Sequence, residues 1–319
     1  MLSHLIETIL SSSPWLEVCV KWAYWRFAFM HRLLQSLRRP AIADAPAVDP
    51  SLWPLIRTHL QQLGIGDLLI VHSSMKQLKP LGMSPEQIVD SLRALLGPQG
   101  TLAMPAFPYF ADEPHGSTWM DETIPLPELT YDPATTPCWT GILGTTLMRL
   151  PGALRSRHPI NSLAAIGPQA TAMMAHELDG PLPLPCGRQS AWYYAAQHGA
   201  RIVALGTDLT HSLTMIHVAE DAYAEEWPIA NWYRERRYRI IDGAETMDFA
   251  CRERRPRWAI HFAERTLARD AARAGILQRN NIGGIAVESC DAAALLTFLN
   301  ARKASGYPYF TLSSQRKRT

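Results

Sequence analysis

The chain has little that would mark a secreted, membrane-spanning or disulfide-braced protein. Its five cysteines, Cys19, Cys138, Cys186, Cys251 and Cys290, are odd in number and scattered, with no C-x-x-C pair. That spacing argues against a disulfide framework and a zinc site, and for reduced thiols in a cytoplasmic protein. No uncharged apolar run approaches the roughly 20 residues a spanning helix needs. The aromatic stretch from Pro14 to Met30 is interrupted by Glu17, Lys21 and Arg26. A basic n-region and small-residue cleavage site of a signal peptide are missing too. There is no G-x-S-x-G elbow and no P-loop, and Gly64-Ile-Gly66 lacks the third glycine and following helix of a dinucleotide fingerprint. Elbow-type serine hydrolysis, phosphoryl transfer and hydride transfer therefore have no sequence support. Neither sign of charge is in large excess. The net charge is +2, and once the basic first forty residues and tail are set aside, 23 basic and 27 acidic residues remain in 41–310. Such a mildly acidic body gives no reason to expect nucleic-acid binding.

What is present is an ordinary folded globule, 47% hydrophobic and 19% charged over 319 residues. Residues 1–45 stand apart as an amphipathic helical extension and linker. Residues 1–40 are a candidate contact for a membrane surface, a homodimer partner or the protein's own body. The stretch from Arg39 to Pro50 carries three prolines and reads as linker. Residues 46–310 form the main domain and 311–319 a basic tail. From Ser51 helix and strand patterns alternate. Helices are expected at Ser51–Leu63, from the capping box Ser84-Pro85-Glu86-Gln87 to Gly97, and at Gly141–Arg149, Gln169–Leu178 and Ser190–Gln197. Strands are expected at Leu68–His72, Gly100–Pro105, Leu163–Ile166 and Arg201–Gly206. A hairpin turning at Asp242-Gly243 and helices at Trp258–Ala274 and Ala292–Arg302 complete the pattern. The fold class is α/β, a mixed sheet flanked by helices, with the hairpin as the reason for "mixed". The Pro- and aromatic-rich stretch from Phe107 to Thr136 has no period, and loops of that length are usually functional.

The chemistry concentrates in Thr214-Met-Ile-His217-Val-Ala-Glu220. A helix from about Thr210 to Tyr223 would set Thr214, His217 and Glu220 within an arc of about 120°. A carboxylate beside an imidazole fixes its tautomer and raises its basicity, and a hydroxyl can orient or relay a proton. The same spacing also suits a purely structural His–Glu pair.

Six blocks in order carry a resemblance. They are His72-Ser73-Ser74-Met75, Gly100-Thr-Leu-Ala-Met-Pro105, Tyr131-Asp-Pro133, Arg155-Ser156-Arg-His158-Pro159-Ile-Asn-Ser162, Gly187-Arg-Gln-Ser190 and Thr214-x-x-His217-x-x-Glu220. Together they resemble the aminoglycoside 3-N-acetyltransferase (antibiotic N-acetyltransferase) family over about residues 50–310. The resemblance implies the family's own mixed α/β fold and acetyl-CoA-dependent transfer to a small-molecule amine, with no metal. It implies Ser73, Ser74 and Met75 beside the coenzyme, Arg155, Ser156, His158 and Ser162 in the same groove, and His217 with Glu220 as the base. Thr214 or backbone N–H groups would face the developing oxyanion. His72 and His158 also suit buried, hydrogen-bonded structural roles. Two departures stand out: Ser190-Ala191 where the family has Ser-Pro, and the N-terminal extension. The acceptor implied is an aminoglycoside or similar amino sugar; a natural-product or nucleotide-linked amine is the alternative. The rivals of other classes are a catalytically silent binding protein and a metal hydrolase using His211, His217 and Glu220. Eight arginines in Arg234–Arg239 and Arg252–Arg257 are either an anion-binding face or a solvated, protected sheet edge.

Overall fold

Strands rich in Leu, Ile, Val and Ala, apolar at every position, can only be satisfied with both sheet faces covered, and that is how the chain folds. The computed structural model describes residues 8–26, 47–64, 66–114 and 116–311. The basic tail, most of the linker and much of the 1–40 segment lie outside the described residues. In chain order come α1 (Pro14–Arg26), α2 (Leu52–Gln62), β1 (Leu68–Ser73), α3 (Met75–Leu78), α4 (Pro85–Leu96) and β2 (Thr101–Pro105). Next are β3 (Leu129–Tyr131), α5 (Ile142–Met148), β4 (Leu154–Arg155), β5 (Leu163–Ile166), α6 (Ala170–Met174), α7 (Ala191–Gln197) and β6 (Arg201–Leu205). Then follow α8 (Leu209–Ser212), α9 (His217–Asp221), β7 (Tyr233–Asp242), β8 (Glu245–Arg254), α10 (Glu264–Arg273), β9 (Gln278–Ile282), β10 (Ile285–Asp291) and α11 (Ala292–Ala304).

Seven strands form one mixed sheet in the order β4-β5-β2-β1-β6-β10-β9. The pairs β1–β2 and β1–β6 are parallel; β2–β5, β6–β10 and β9–β10 are antiparallel. Period-two alternation splits the core. Leu68, Ile70, Ala103 and Ile202 pack on one face with α7 and α11, whereas Leu69, Val71, Leu102 and Val203 pack on the other with α2, α4 and α5. The expected capping box is formed, Ser84 accepting from the Gln87 N–H while Gln87 accepts from the Ser84 N–H. Gly144 in α5 is required by close approach: a Cβ there would lie 2.5 Å from the Pro105 carbonyl oxygen.

Three expectations need correction. The hairpin β7–β8 does not make the main sheet mixed; it belongs to a second sheet, β3-β7-β8. The mixed character comes from β4–β5 and from the hairpin β9–β10, whose polar edge strand Gln-Arg-Asn-Asn-Ile gives no strand pattern. Its turn, Gly283-Gly284 with φ of 57° and 87°, was the readable signal. The helices expected at Thr210–Tyr223 and Trp258–Ala274 are both broken. Leu213 leaves the helical region with ψ of 79° and a 3₁₀ turn, Thr214–Ile216, follows before α9. A straight helix would spread Leu213, Met215, Ile216, Val218 and Ala219 over about 220° of its circumference, and with the break all five are buried. Among the described residues, no helix is long and apolar enough to cross a membrane.

Candidate active site

The carboxyl ends of parallel β1 and β6 flank the point where the chain's winding direction changes, where open α/β sheets place their ligands. A cleft of about 720 Å³ opens there. Ser73 at the end of β1 and Ser74 and Met75 after it line it, with Thr207, Thr210 and His211 after β6, and Thr214 and His217 beyond. Met104, Phe107, Ile142 and Phe262 supply apolar walls. His72 forms part of the lining although it is buried, and its Nε2 has no hydrogen-bond partner. Burial pushes the His72 imidazole down to about 4, so it is neutral at pH 7.

His217 stands at the start of α9 with its side chain 19% exposed, and Glu220 lies behind it at 1%. His217 Nδ1 is 3.0 Å from Glu220 Oε2. An ionised carboxylate only accepts, so Nδ1 carries a proton, and in the neutral ring the lone pair lies on Nε2. Burial alone would raise the Glu220 carboxyl, but His217 and Arg254 outweigh it and hold Glu220 below its usual range. Arg254 at the end of β8 brings Nη1 to 3.8 Å from Glu220 Oε1. Next in the chain, Asp221 is pushed up to about 7 by burial and then by the Glu220 charge. Asp221 accepts from the Cys186 N–H at 3.0 Å and from the Tyr233 hydroxyl at 3.1 Å, which ties α9 to the 183–187 loop and to β7.

A second cavity of about 220 Å³ meets the first. Phe107, Trp139, Asn161, His217 and Arg254 line both. Glu113, Glu220, Asp221 and Glu253 with Trp119 give the smaller one its acidic and aromatic character. The imidazole therefore stands where two cavities of different chemistry join.

Thr214 and His217 share the larger cleft with Ser73, Ser74 and Met75, while Arg155, Ser156, His158 and Ser162 lie under the surface beside it and line neither cavity. Arg155 donates through Nε and Nη2 to the Ala106 carbonyl and through Nη1 to the Thr136 carbonyl at 2.6 Å. The Ser156 hydroxyl accepts from the Leu163 N–H, and the Ser162 hydroxyl donates to the His158 carbonyl. The His158 ring packs edge-on to Phe249, and burial pushes it down to about 4. Asn161, held at φ of 54°, is the member of this block that reaches both cavities. Its local signal was position: it is the polar residue inside a tight His-Pro-Ile-Asn-Ser turn, where Asn tolerates left-handed backbone.

The arginine hairpin is neither an open anion-binding face nor a bare solvated edge. Buried Arg236 lies 3.0 Å from Glu113 and 3.3 Å from Glu253. Arg234 pairs with Glu253, Arg237 with Glu235, Arg239 with Glu128 and Asp248, and both Arg255 and Arg257 with Glu122. Arg252 covers the Tyr233 ring. His211, a ligand in the metal-hydrolase reading, instead pairs with Asp208 at 2.9 Å. Among the described residues, no group of three or more His, Cys, Asp or Glu side chains is arranged to hold a metal ion.

Fold and site together define a class, mixed α/β proteins with an imidazole–carboxylate pair between two adjoining cavities. The chain belongs to the aminoglycoside 3-N-acetyltransferase family, whose model matches residues 70–302. It is 39% identical over 130 residues to aminoglycoside N(3)-acetyltransferase IV of Salmonella sp, a match spanning 40% of this chain and only 42% of that protein. Against aminoglycoside N(3)-acetyltransferase IX of Micromonospora chalcea it is 32% identical over 265 residues, 76% of this chain and 90% of that one. Among solved structures, AAC-IIIb in a binary complex with CoASH superposes with a TM-score of 0.64 at 22% identity, covering 83% of this chain and 98% of that one. At that identity the likeness is one of fold.

Proposed function

We propose that the protein transfers an acetyl group from acetyl-CoA to a primary amine of an aminoglycoside or amino-sugar-like acceptor, with His217 as general base. The observation that carries this is the position of His217 at the junction of the two cavities, one large with apolar walls, the other small and lined by carboxyl groups. The family of the chain and the CoASH held by a relative of the same fold support the choice of donor. The larger cleft suits coenzyme A on its own terms. Its Ser73, Ser74 and Thr210 hydroxyls and the unpartnered His72 nitrogen suit amide and phosphate groups, and its apolar walls suit a methylene chain. When bound, acetyl-CoA supplies an acyl thioester that an amine can attack.

The chain's own residues do the rest. A protonated amine cannot attack, so its proton must leave, and His217 Nε2 is the lone pair available to take it. Glu220 holds the Nδ1 proton and stabilises the imidazolium that forms, while Arg254 keeps Glu220 ionised. Thr214, which lines the same cleft, is the hydroxyl we assign to oppose charge developing on the acyl oxygen. Carboxylates in the smaller cavity favour a cationic acceptor, which an aminoglycoside is. A thiol-release assay with acetyl-CoA across aminoglycosides, amino sugars, nucleotide-linked amino sugars and amino acids tests the reading. Turnover with an aminoglycoside or amino sugar is expected; release with none of these amines overturns it.

A further inference from the structure

Helix α10 starts with no cap of its own. Ala263, at the capping position, has no side-chain oxygen to offer the first turn. The missing acceptor comes from the other end of the sequence. Glu17 in α1 is 1% exposed, its Oε1 accepting from the Arg265 N–H at 2.9 Å and its Oε2 from the Thr266 N–H at 3.1 Å. These are the second and third helical amides, the two a side-chain cap normally serves. One turn on, Lys21 donates to the Phe262 carbonyl at 2.9 Å and lies 2.5 Å from Glu264 Oε2. Arg269 of α10 in turn donates to the Ser11 carbonyl. Glu17 and Lys21, four apart, share one helix face, and that face holds the segment 262–266.

That segment is a wall of the larger cleft. Phe262 and Glu264 line it, and Glu264 Oε1 lies 3.6 Å from Nε2 of His211, which lines it too. Helix α8, which carries His211, packs on α10. We propose that α1 is a clamp on the substrate cleft, Glu17 and Lys21 being positioning residues that fix the Phe262–Glu264 wall and so set the affinity for the acyl-CoA without touching it. The clamp rests on the reading of this cleft as the coenzyme site. Its α1 half lies outside residues 70–302 that match the family model, whereas the wall it holds lies inside them.

The test uses the full chain and its Glu17→Gln, Lys21→Met and Lys21→Arg variants. Three readouts are taken: hydrogen exchange at the Arg265 and Thr266 amides, acetyl-CoA Kd by calorimetry, and the KM–kcat split. In Glu17→Gln and Lys21→Met, exchange should quicken in 262–268, and Kd and KM for acetyl-CoA should rise about threefold to tenfold, with kcat within about twofold. Lys21→Arg, which keeps the donors, should restore near-native affinity. Faster exchange with unchanged Kd overturns the proposal, because α1 would then be structural alone. Unchanged exchange in both variants overturns it as well. Absence of acetyl-CoA binding by the unsubstituted protein refutes the coenzyme reading and the clamp with it, a signature distinct from either.

Discussion

Arg155 and His217 are both basic side chains close to the cleft, and each belongs to one of the blocks that carry the family resemblance. Arg155 is 7% exposed and directs its guanidinium at main-chain carbonyls of Ala106 and Thr136, so it fixes the loop that supplies Phe107 to the cavities. His217 has one nitrogen held by a buried carboxylate and the other side of its ring on two cavities. The difference lies in what satisfies each donor. A side chain whose polar atoms are used by the main chain holds structure, whereas one held at a single atom has chemistry to spare.

The largest expected effect is on Arg155. Arg155→Met leaves the Ala106 and Thr136 carbonyls without their donors, and should lower stability by roughly 3 kcal/mol or more. Urea unfolding measures this, and the turnover of the folded fraction should stay within severalfold of native. Intact stability would place Arg155 on the chemical side of the comparison. Glu220→Gln should come next, with kcat reduced about tenfold to a hundredfold, since a neutral amide orients the imidazole but stabilises its charge less. A thermal melt separates that loss from unfolding, because Glu220 is buried against Arg254.

A smaller effect concerns acid stability. Burial pushes Glu177, which accepts from the Arg157 N–H at 2.9 Å, up to about 7, as it does Asp221; the native state therefore holds protons the unfolded chain releases, and their contribution falls as pH rises from about 4 to 7. His72 and His158, near 4 when folded, act in the opposite sense between about 4 and 6.5. Asp221→Asn removes one opposing carboxyl. Its stability should therefore climb with pH more steeply than wild type across that window, by on the order of 1 kcal/mol per pH unit at most. Parallel denaturation profiles for the two proteins would refute the assignment. The smallest effect is expected at Arg237 and Arg239, exposed members of the hairpin whose carboxylate partners are also exposed. Replacing both with Gln should leave KM values within about twofold at low and high salt. A salt-sensitive rise in KM would revive the anion-binding face.

Much of the fold was legible in the sequence because strands buried on both faces write themselves as apolar runs: β1 and β5 begin and end within a residue of the sequence pattern. What escaped was decided by distant contacts. Leu213 breaks its helix, and with the break its widely spread apolar neighbours are buried, while β9 is a polar edge strand held by β10. At the site, the spacing of Thr214, His217 and Glu220 survived the break, since the 3₁₀ turn leads directly into α9. Arg254, which pairs with Glu220, and Asn161, which lines both cavities, did not show themselves as part of the site, because each joins it only through the fold. Glu17 and Lys21 were visible only as interruptions of an aromatic run; their partners lie more than two hundred residues away.

The most direct test of the account is acetyl transfer by well-folded His217→Ala, with acetyl-CoA affinity measured on the same preparation. The prediction is an unchanged Kd with turnover lower by about 10²–10⁴, the usual worth of a placed general base. Near-native turnover in that variant would contradict the central claim.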